Sequence, residues 1–168
     1  AAEFLNHEAH GTRTLILPAS SFARQTWGWT RDEPAQPLLD VPWAVRDAIP
    51  LVTPEAIRGL DGISAYPTPE SLARLGIGAV IVRHDLARST RNMSAERLFP
   101  QAKIRRFGEV EVVILNRDLG MTVVDSDRIP TVAGGGESLA LLGSGAYRLV
   151  GQGANIVTYT PPLGGRNH

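Results

Sequence analysis

Between Thr68 and Arg83 the chain spells out half of an α/β unit, and this stretch limits the possible folds more than any other. Thr68 stands where a helix cap would, with Pro69 at the first helical position and Glu70 in the first turn. A Thr hydroxyl can accept from the free N–H groups of a helix start, proline lacks only an N–H that is not needed there, and Glu faces the positive end of the helix dipole. Gly76 is a natural stop. Ala79-Val-Ile-Val-Arg83 then follows as a short, continuous apolar run, the pattern of a strand buried on both faces. Helix, glycine and apolar strand in that order predict a largely parallel sheet.

Other segments extend the same reading. Thr53-Pro54-Glu55 repeats the helix-start signature, so helices are expected at 54–60 and 69–75. Thr12-Arg-Thr-Leu-Ile-Leu-Pro18 is a second buried strand closed by proline, and the sheet should be built around 14–17 and 79–83. Residues 1–11 read as the tail of a helix, with Phe4, Leu5 and Ala9 on one side and Gly11 as its stop. A helix that opens without a cap suggests a piece excised from a longer chain. One turn of helix is expected at 94–98. Lys103 to Phe107 and Val110 to Leu115, separated by Gly108-Glu109, read as a β-hairpin. After Asn116, short strand candidates at 121–124, 131–132, 147–150 and 155–159 alternate with glycine-rich turns. The expected fold class is α/β: a mixed, partly parallel sheet with short helices, plus a smaller α/β section packed on it. The division is 1–118, containing the tryptophan-rich loop, and 119–168, which is not expected to be independent.

The segment 27–50 fits neither period. It holds all three tryptophans and four of the twelve prolines, with charges among them, and carries too much apolar bulk for a disordered linker. Near its end, Asp40 is expected to cap a short helical turn through Trp43, Val45 and Ala48, stopped by Pro50. A long irregular segment in a compact domain is often a binding or docking loop. Tryptophan with Asp, Glu, Gln and Arg nearby is what sugar recognition uses, a flat apolar face for the ring and bidentate polar groups for hydroxyls. The candidate carbohydrate-binding residues are therefore Trp27, Trp29, Asp32, Glu33, Gln36, Trp43 and Arg46. The competing reading is that the rings cover the end of a sheet and are buried there.

Composition narrows the function classes. Lys plus Arg and Asp plus Glu both total 17 in 168 residues, and this zero formal charge argues against a nucleic-acid partner. The absence of cysteine excludes disulfides, thiolate metal sites and a Cys nucleophile. No apolar run approaches the ~18 residues needed to span a bilayer and no signal peptide opens the chain, so the piece taken alone reads as soluble. The Gly134 to Gly136 turn before Glu137-Ser138 offers an anion site only outside the known phosphate-loop spacings. Asp125, Asp127 and Glu137 lack the rest of a calcium loop. His7, His10, His84 and His168 are scattered, and Ser20-Ser21 are not set in a nucleophile elbow. Neither a cofactor nor a catalytic constellation is expected.

Longer stretches carry a family resemblance. Arg13-Thr-Leu-Ile-Leu-Pro-Ala-Ser-Ser-Phe22, Trp27-Gly-Trp-Thr-Arg-Asp-Glu-Pro-Ala-Gln-Pro-Leu38 and Pro42-Trp-Ala-Val-Arg-Asp-Ala-Ile-Pro50 resemble the soluble region of the large actinobacterial α-(1→3)-arabinofuranosyltransferases. Leu75-Gly-Ile-Gly-Ala-Val-Ile-Val-Arg83, Gly134-Gly-Gly-Glu-Ser-Leu139 and Val157-Thr-Tyr-Thr160 are similar to later segments of the same region. The resemblance implies a multi-pass parent that transfers arabinofuranose from a polyprenyl-phosphate donor to cell-wall arabinan, on the extracytoplasmic face of the plasma membrane. It implies that the catalytic acid lies on a loop between early transmembrane helices, so no catalytic residue carries over. The piece would then serve the enzyme structurally or in acceptor binding, its partners an arabinan or galactan acceptor and other parts of the parent, with the donor bound by the parent. The alternative is a free-standing carbohydrate-binding or protein-docking domain with no link to catalysis.

Overall fold

The computed structural model describes residues 1–18, 24–30, 32–45, 54–87, 93–115, 131–133, 145–151 and 154–160. They fall in two compact units, one made of 1–50 with 77–118, the other of 51–76 with 119–168.

In the first unit, helix α1 (Ala2–Glu8) precedes strand β1 (Arg13–Leu17). Two two-residue strands, β2 (Arg24–Gln25) and β3 (Gly28–Trp29), form a small hairpin, and a 3-10 turn (Gln36–Leu38) leads to β4 (Trp43–Ala44). In the second unit lie α2 (Pro54–Ala65) and α3 (Pro69–Arg74). The first unit resumes with β5 (Ile77–Arg83), α4 (Ala95–Leu98), β6 (Ile104–Phe107) and β7 (Val110–Ile114). Its five-stranded sheet has the order β4-β1-β5-β7-β6. β1 runs parallel to β4 and β5, whereas β7 is antiparallel to both β5 and β6. This is the mixed, partly parallel α/β sheet that the apolar runs predict, with 14–17 and 79–83 side by side. All seven residues of β5 are buried, as a central strand of such a sheet requires.

Register explains the core. Ile16 faces Ile81, which faces Val112, so one row of apolar side chains crosses three strands. Leu5 and Ala9, from α1 and its cap, pack on that row together with Leu39 and Val41. The β6–β7 turn is closed by Gly108 at φ 59°, a left-handed conformation that glycine adopts without a Cβ penalty.

The second unit carries both helix starts. Thr68 Oγ1 accepts from Ser71 N at 3.1 Å, while Ser71 Oγ accepts from Thr68 N at 3.1 Å, a capping box with Ser in the reciprocal position. Gly76, at φ 70°, ends the helix as expected. Strands β8 (Thr131–Ala133), β9 (Gly145–Gly151) and β10 (Ala154–Thr160) form a second sheet, β9 antiparallel to β10 and parallel to β8. The strand candidate at 121–124 lies outside the described residues.

One expectation fails. Asp40 does not cap a helix through Trp43; Trp43 and Ala44 form β4, paired with Thr14 and Leu15. Pro42 disfavours helical backbone at Val41, and its carbonyl accepts from Thr14 N at 2.8 Å, so the free edge of β1 captures the segment. The Asp40 carboxylate accepts instead from Asn6 Nδ2 at 3.0 Å, and Asp40 N donates to Asn6 Oδ1 at 2.9 Å.

Candidate functional site

The β2–β3 hairpin turns at Thr26 and Trp27 and is too short to hold itself. It is tied instead to the chain just beyond β5. Thr26 N donates to the Asp85 carbonyl at 2.7 Å, and Gln25 bridges to Leu86. The Trp27 indole Nε1–H donates to Asp85 Oδ2 at 2.8 Å. Gln25 Nε2 donates to Thr30 Oγ1 at 2.8 Å, and Thr30 Oγ1 to the Asp32 carbonyl at 2.9 Å, which steadies the exit from the hairpin.

Behind this contact lies a buried ion triad. Arg83, the last residue of β5, donates from Nε to Asp85 Oδ1 and from Nη2 to Asp85 Oδ2, both at 2.9 Å. Its Nη1 donates to Glu33 Oε1 at 2.7 Å and Oε2 at 2.9 Å. All three residues are buried. Burial opposes the charge on Arg83, but the Asp85 hydrogen bonds and the charges of Glu33 and Asp85 outweigh it, and its pKa is raised. Burial likewise opposes the charge on Asp85, yet hydrogen bonds from Arg83 and Trp27 hold its carboxyl below the usual range. Glu111, buried on β7, is also held low: desolvation opposes its charge, and bonds from Ala95 N, His84 and Arg106 overcome it.

Among the described residues these two depressed carboxyls contribute to the acid side of the stability curve. A group whose folded pKa lies below its unfolded value stabilises the fold fully above the ordinary carboxylate pKa, about 4, and loses that contribution as pH falls through the lower folded value. Melting temperature is therefore expected to hold from pH 7 to about pH 5 and to fall from there toward pH 3, and Glu111→Gln should flatten part of that fall. A Glu111→Gln profile parallel to wild type would contradict the assignment.

The seven predicted residues part company here. Trp27 and Trp29 are 61% and 77% exposed, so the reading in which their rings are buried does not hold for them. Asp32 and Gln36 are also exposed, on the segment that follows the hairpin. Glu33 faces inward, its oxygens held by Arg83 and by Ala35 N at 3.3 Å. Trp43 is half-buried against the core. Arg46 lies outside the described residues, as do Ser20, Ser21, Asp125, Asp127, the Gly134 to Gly136 turn and Glu137. Arg83 and Asp85 were missed by the reading of the sequence; the one local signal was an Arg ending an apolar strand with an Asp two residues on. A separate concavity lined by Phe4, Glu8, Lys103, Arg105, Val112 and Ile114 holds about 160 Å³, below the few hundred Å³ of ordinary ligand sites.

The sequence profile of the family described as alpha-(1->3)-arabinofuranosyltransferase, N-terminal GT-C domain, matches residues 1–159. The chain is 41% identical over 126 residues to the alpha-(1->3)-arabinofuranosyltransferase of Mycolicibacterium smegmatis, covering 65% of this chain and 9% of that protein. To the enzyme of the same name from Mycobacterium tuberculosis it is 45% identical over 98 residues, 51% of this chain and 7% of that one. The cryo-EM structure of the arabinofuranosyltransferase AftD from mycobacteria superposes with a TM-score of 0.74 at 29% identity, over 88% of this chain and 15% of that chain. The chain thus spans less than a tenth of the length of these curated relatives.

Proposed function

The chain belongs to the alpha-(1->3)-arabinofuranosyltransferase family, and from that premise we propose that it is an extracytoplasmic part of a membrane arabinofuranosyltransferase in which the Trp27–Trp29 hairpin contacts the acceptor glycan. The whole protein transfers arabinofuranose from a polyprenyl-phosphate donor, bound outside this segment, to cell-wall arabinan. This segment seats the arabinan or galactan being extended. One observation carries the reading: Trp27 stands 61% exposed while the only polar atom of its ring is committed to Asp85, so the ring is held in place with apolar surface open. Trp29 and the polar side chains of Asp32 and Gln36 stand exposed on the same stretch of chain, the donors and acceptors that sugar hydroxyls need. Among the described residues no helix is long and apolar enough to cross a membrane. Residues 119–168 are not an independent domain in this reading, because their compact unit also takes in 51–76 and a cut at 118 would divide it from two helices.

Leu38, also exposed, favours a second reading in which the same surface docks on another part of the parent. Tryptophan fluorescence titrated with arabinan oligosaccharides separates the two. A saturable change in the millimolar range is expected. Trp27→Ala or Trp29→Ala should weaken it by about tenfold or more, equivalent to roughly 1.4 kcal/mol. Both rings are exposed, so these variants should remain folded. No saturable change in the wild type would remove acceptor contact and leave docking.

A further inference from the structure

We propose that Arg83 is the positioning residue of the Trp27–Trp29 surface, a role that rests on the acceptor reading for its purpose but not for its geometry. Its guanidinium is used on both sides. Nε and Nη2 grip the two oxygens of Asp85, and Nη1 spans the two oxygens of Glu33. Each carboxylate then holds a different part of the exposed surface. Asp85 Oδ2 accepts the Trp27 indole N–H, and the Asp85 carbonyl accepts Thr26 N, so the hairpin turn is fixed through one residue. Glu33 Oε1 accepts Ala35 N, and the Glu33 carbonyl accepts Gln36 N, so the start of the 3-10 turn is fixed through the other. One buried cation thereby sets the spacing between an aromatic platform and the segment that carries Gln36.

Stability alone gives little reason for this arrangement. A buried ion triad can often be replaced by apolar side chains of similar volume without loss. An apolar replacement, however, would leave the indole N–H to solvent water, with no protein acceptor to fix its orientation. The triad supplies one and orients it. An indole held by its N–H has already lost the rotational freedom that a ligand would otherwise have to remove on binding, and that lowers the cost of association. The chemistry also requires arginine: lysine is a single point charge and cannot address two carboxylates with a flat fork of donors. It requires a carboxylate at 85 as well, because an amide there would turn one of the two acceptor oxygens into a donor that faces Arg83 in either orientation, and Trp27 too when it takes the Oδ2 place.

The test is hydrogen exchange of the indole N–H groups, followed by NMR in the 168-residue chain, whose three tryptophans give three separate signals. In the wild type the Trp27 indole should exchange at least about tenfold more slowly than that of Trp29, as a hydrogen-bonded group should beside an exposed one. Arg83→Lys and Asp85→Asn should each bring Trp27 close to the Trp29 rate, with Trp29 itself unchanged. A variant that merely loosened the fold would speed all the protected signals together. If Arg83→Lys does not fold, Glu33→Gln decides alone: it weakens the hold on Arg83 while leaving the Trp27 acceptor in place, and it should still speed Trp27 exchange with Trp29 unchanged. Equal Trp27 and Trp29 rates in the wild type, or a Trp27 signal that stays protected in the folded variants, would overturn the proposal. The oligosaccharide titration, run on the same samples, should weaken about tenfold in Asp85→Asn if the acceptor reading also holds. A wild type blind to oligosaccharide but with the expected exchange pattern would discard the acceptor reading and support the positioning role.

Discussion

Arg83→Met is expected to cost the fold about 3–5 kcal/mol, the usual penalty for removing one partner of a buried ion pair. Methionine fills much of the space but leaves Glu33 and Asp85, both buried, without their shared cation. Their attraction to Arg83 is what offsets the cost of taking them out of water, so the loss comes mainly from two stranded carboxylates rather than from a missing contact. Urea denaturation at pH 7 should show the midpoint falling with an unchanged slope, which marks a loss of stability rather than a change in compactness. The triple variant Arg83→Met, Glu33→Gln, Asp85→Asn should recover much of the loss, because it removes the stranded charges along with the cation. A cost below about 1 kcal/mol for Arg83→Met would be that of a surface ion pair, and the triad would then not be the buried structure described.

Ile16→Ala should be among the more damaging single truncations in the first unit. Ile16 is fully buried and sits between Ile81 and the neighbours that α1 contributes, in the row that crosses β1, β5 and β7. Removing most of its side chain loses transfer free energy and leaves a cavity that three hydrogen-bonded strands cannot close, for about 2–5 kcal/mol; Ile16→Val should cost about 0.5–1.5 kcal/mol. Ile104, half-buried on the edge strand β6, supplies the control, and its truncation should cost clearly less. Equal losses at the two positions would mean that the core is not organised on β1 and β5.

Much of this fold was legible because its signals are local. A capping threonine, a proline at the first helical position and a glycine two residues beyond the end placed α3 within the nine residues from Thr68 to Gly76. Continuous apolar runs placed β1 and β5, since a strand covered on both faces of its sheet has no side left for polar residues. The segment from Asp40 to Ala48 misled because the pattern there fits a short amphipathic turn as well as a strand. What decided the described part, through Ala44, was the open edge of β1, 29 positions away in the sequence, and no local feature of Trp43 encodes it.

The candidate surface divides along the same line. From sequence alone came the tryptophans, their polar neighbours and the family to which the whole pattern is similar, because residue types and motif spacings are one-dimensional facts. Which rings stay exposed, and which acid turns inward, was decided only by tertiary structure. Glu33 meets Arg83 across 50 positions and Trp27 meets Asp85 across 58. A carboxylate next to a tryptophan reads the same in sequence whether it faces a sugar or a buried guanidinium. The choice rests on where a mixed sheet ends its central strand, and that depends on pairings among segments that carry no mark of one another.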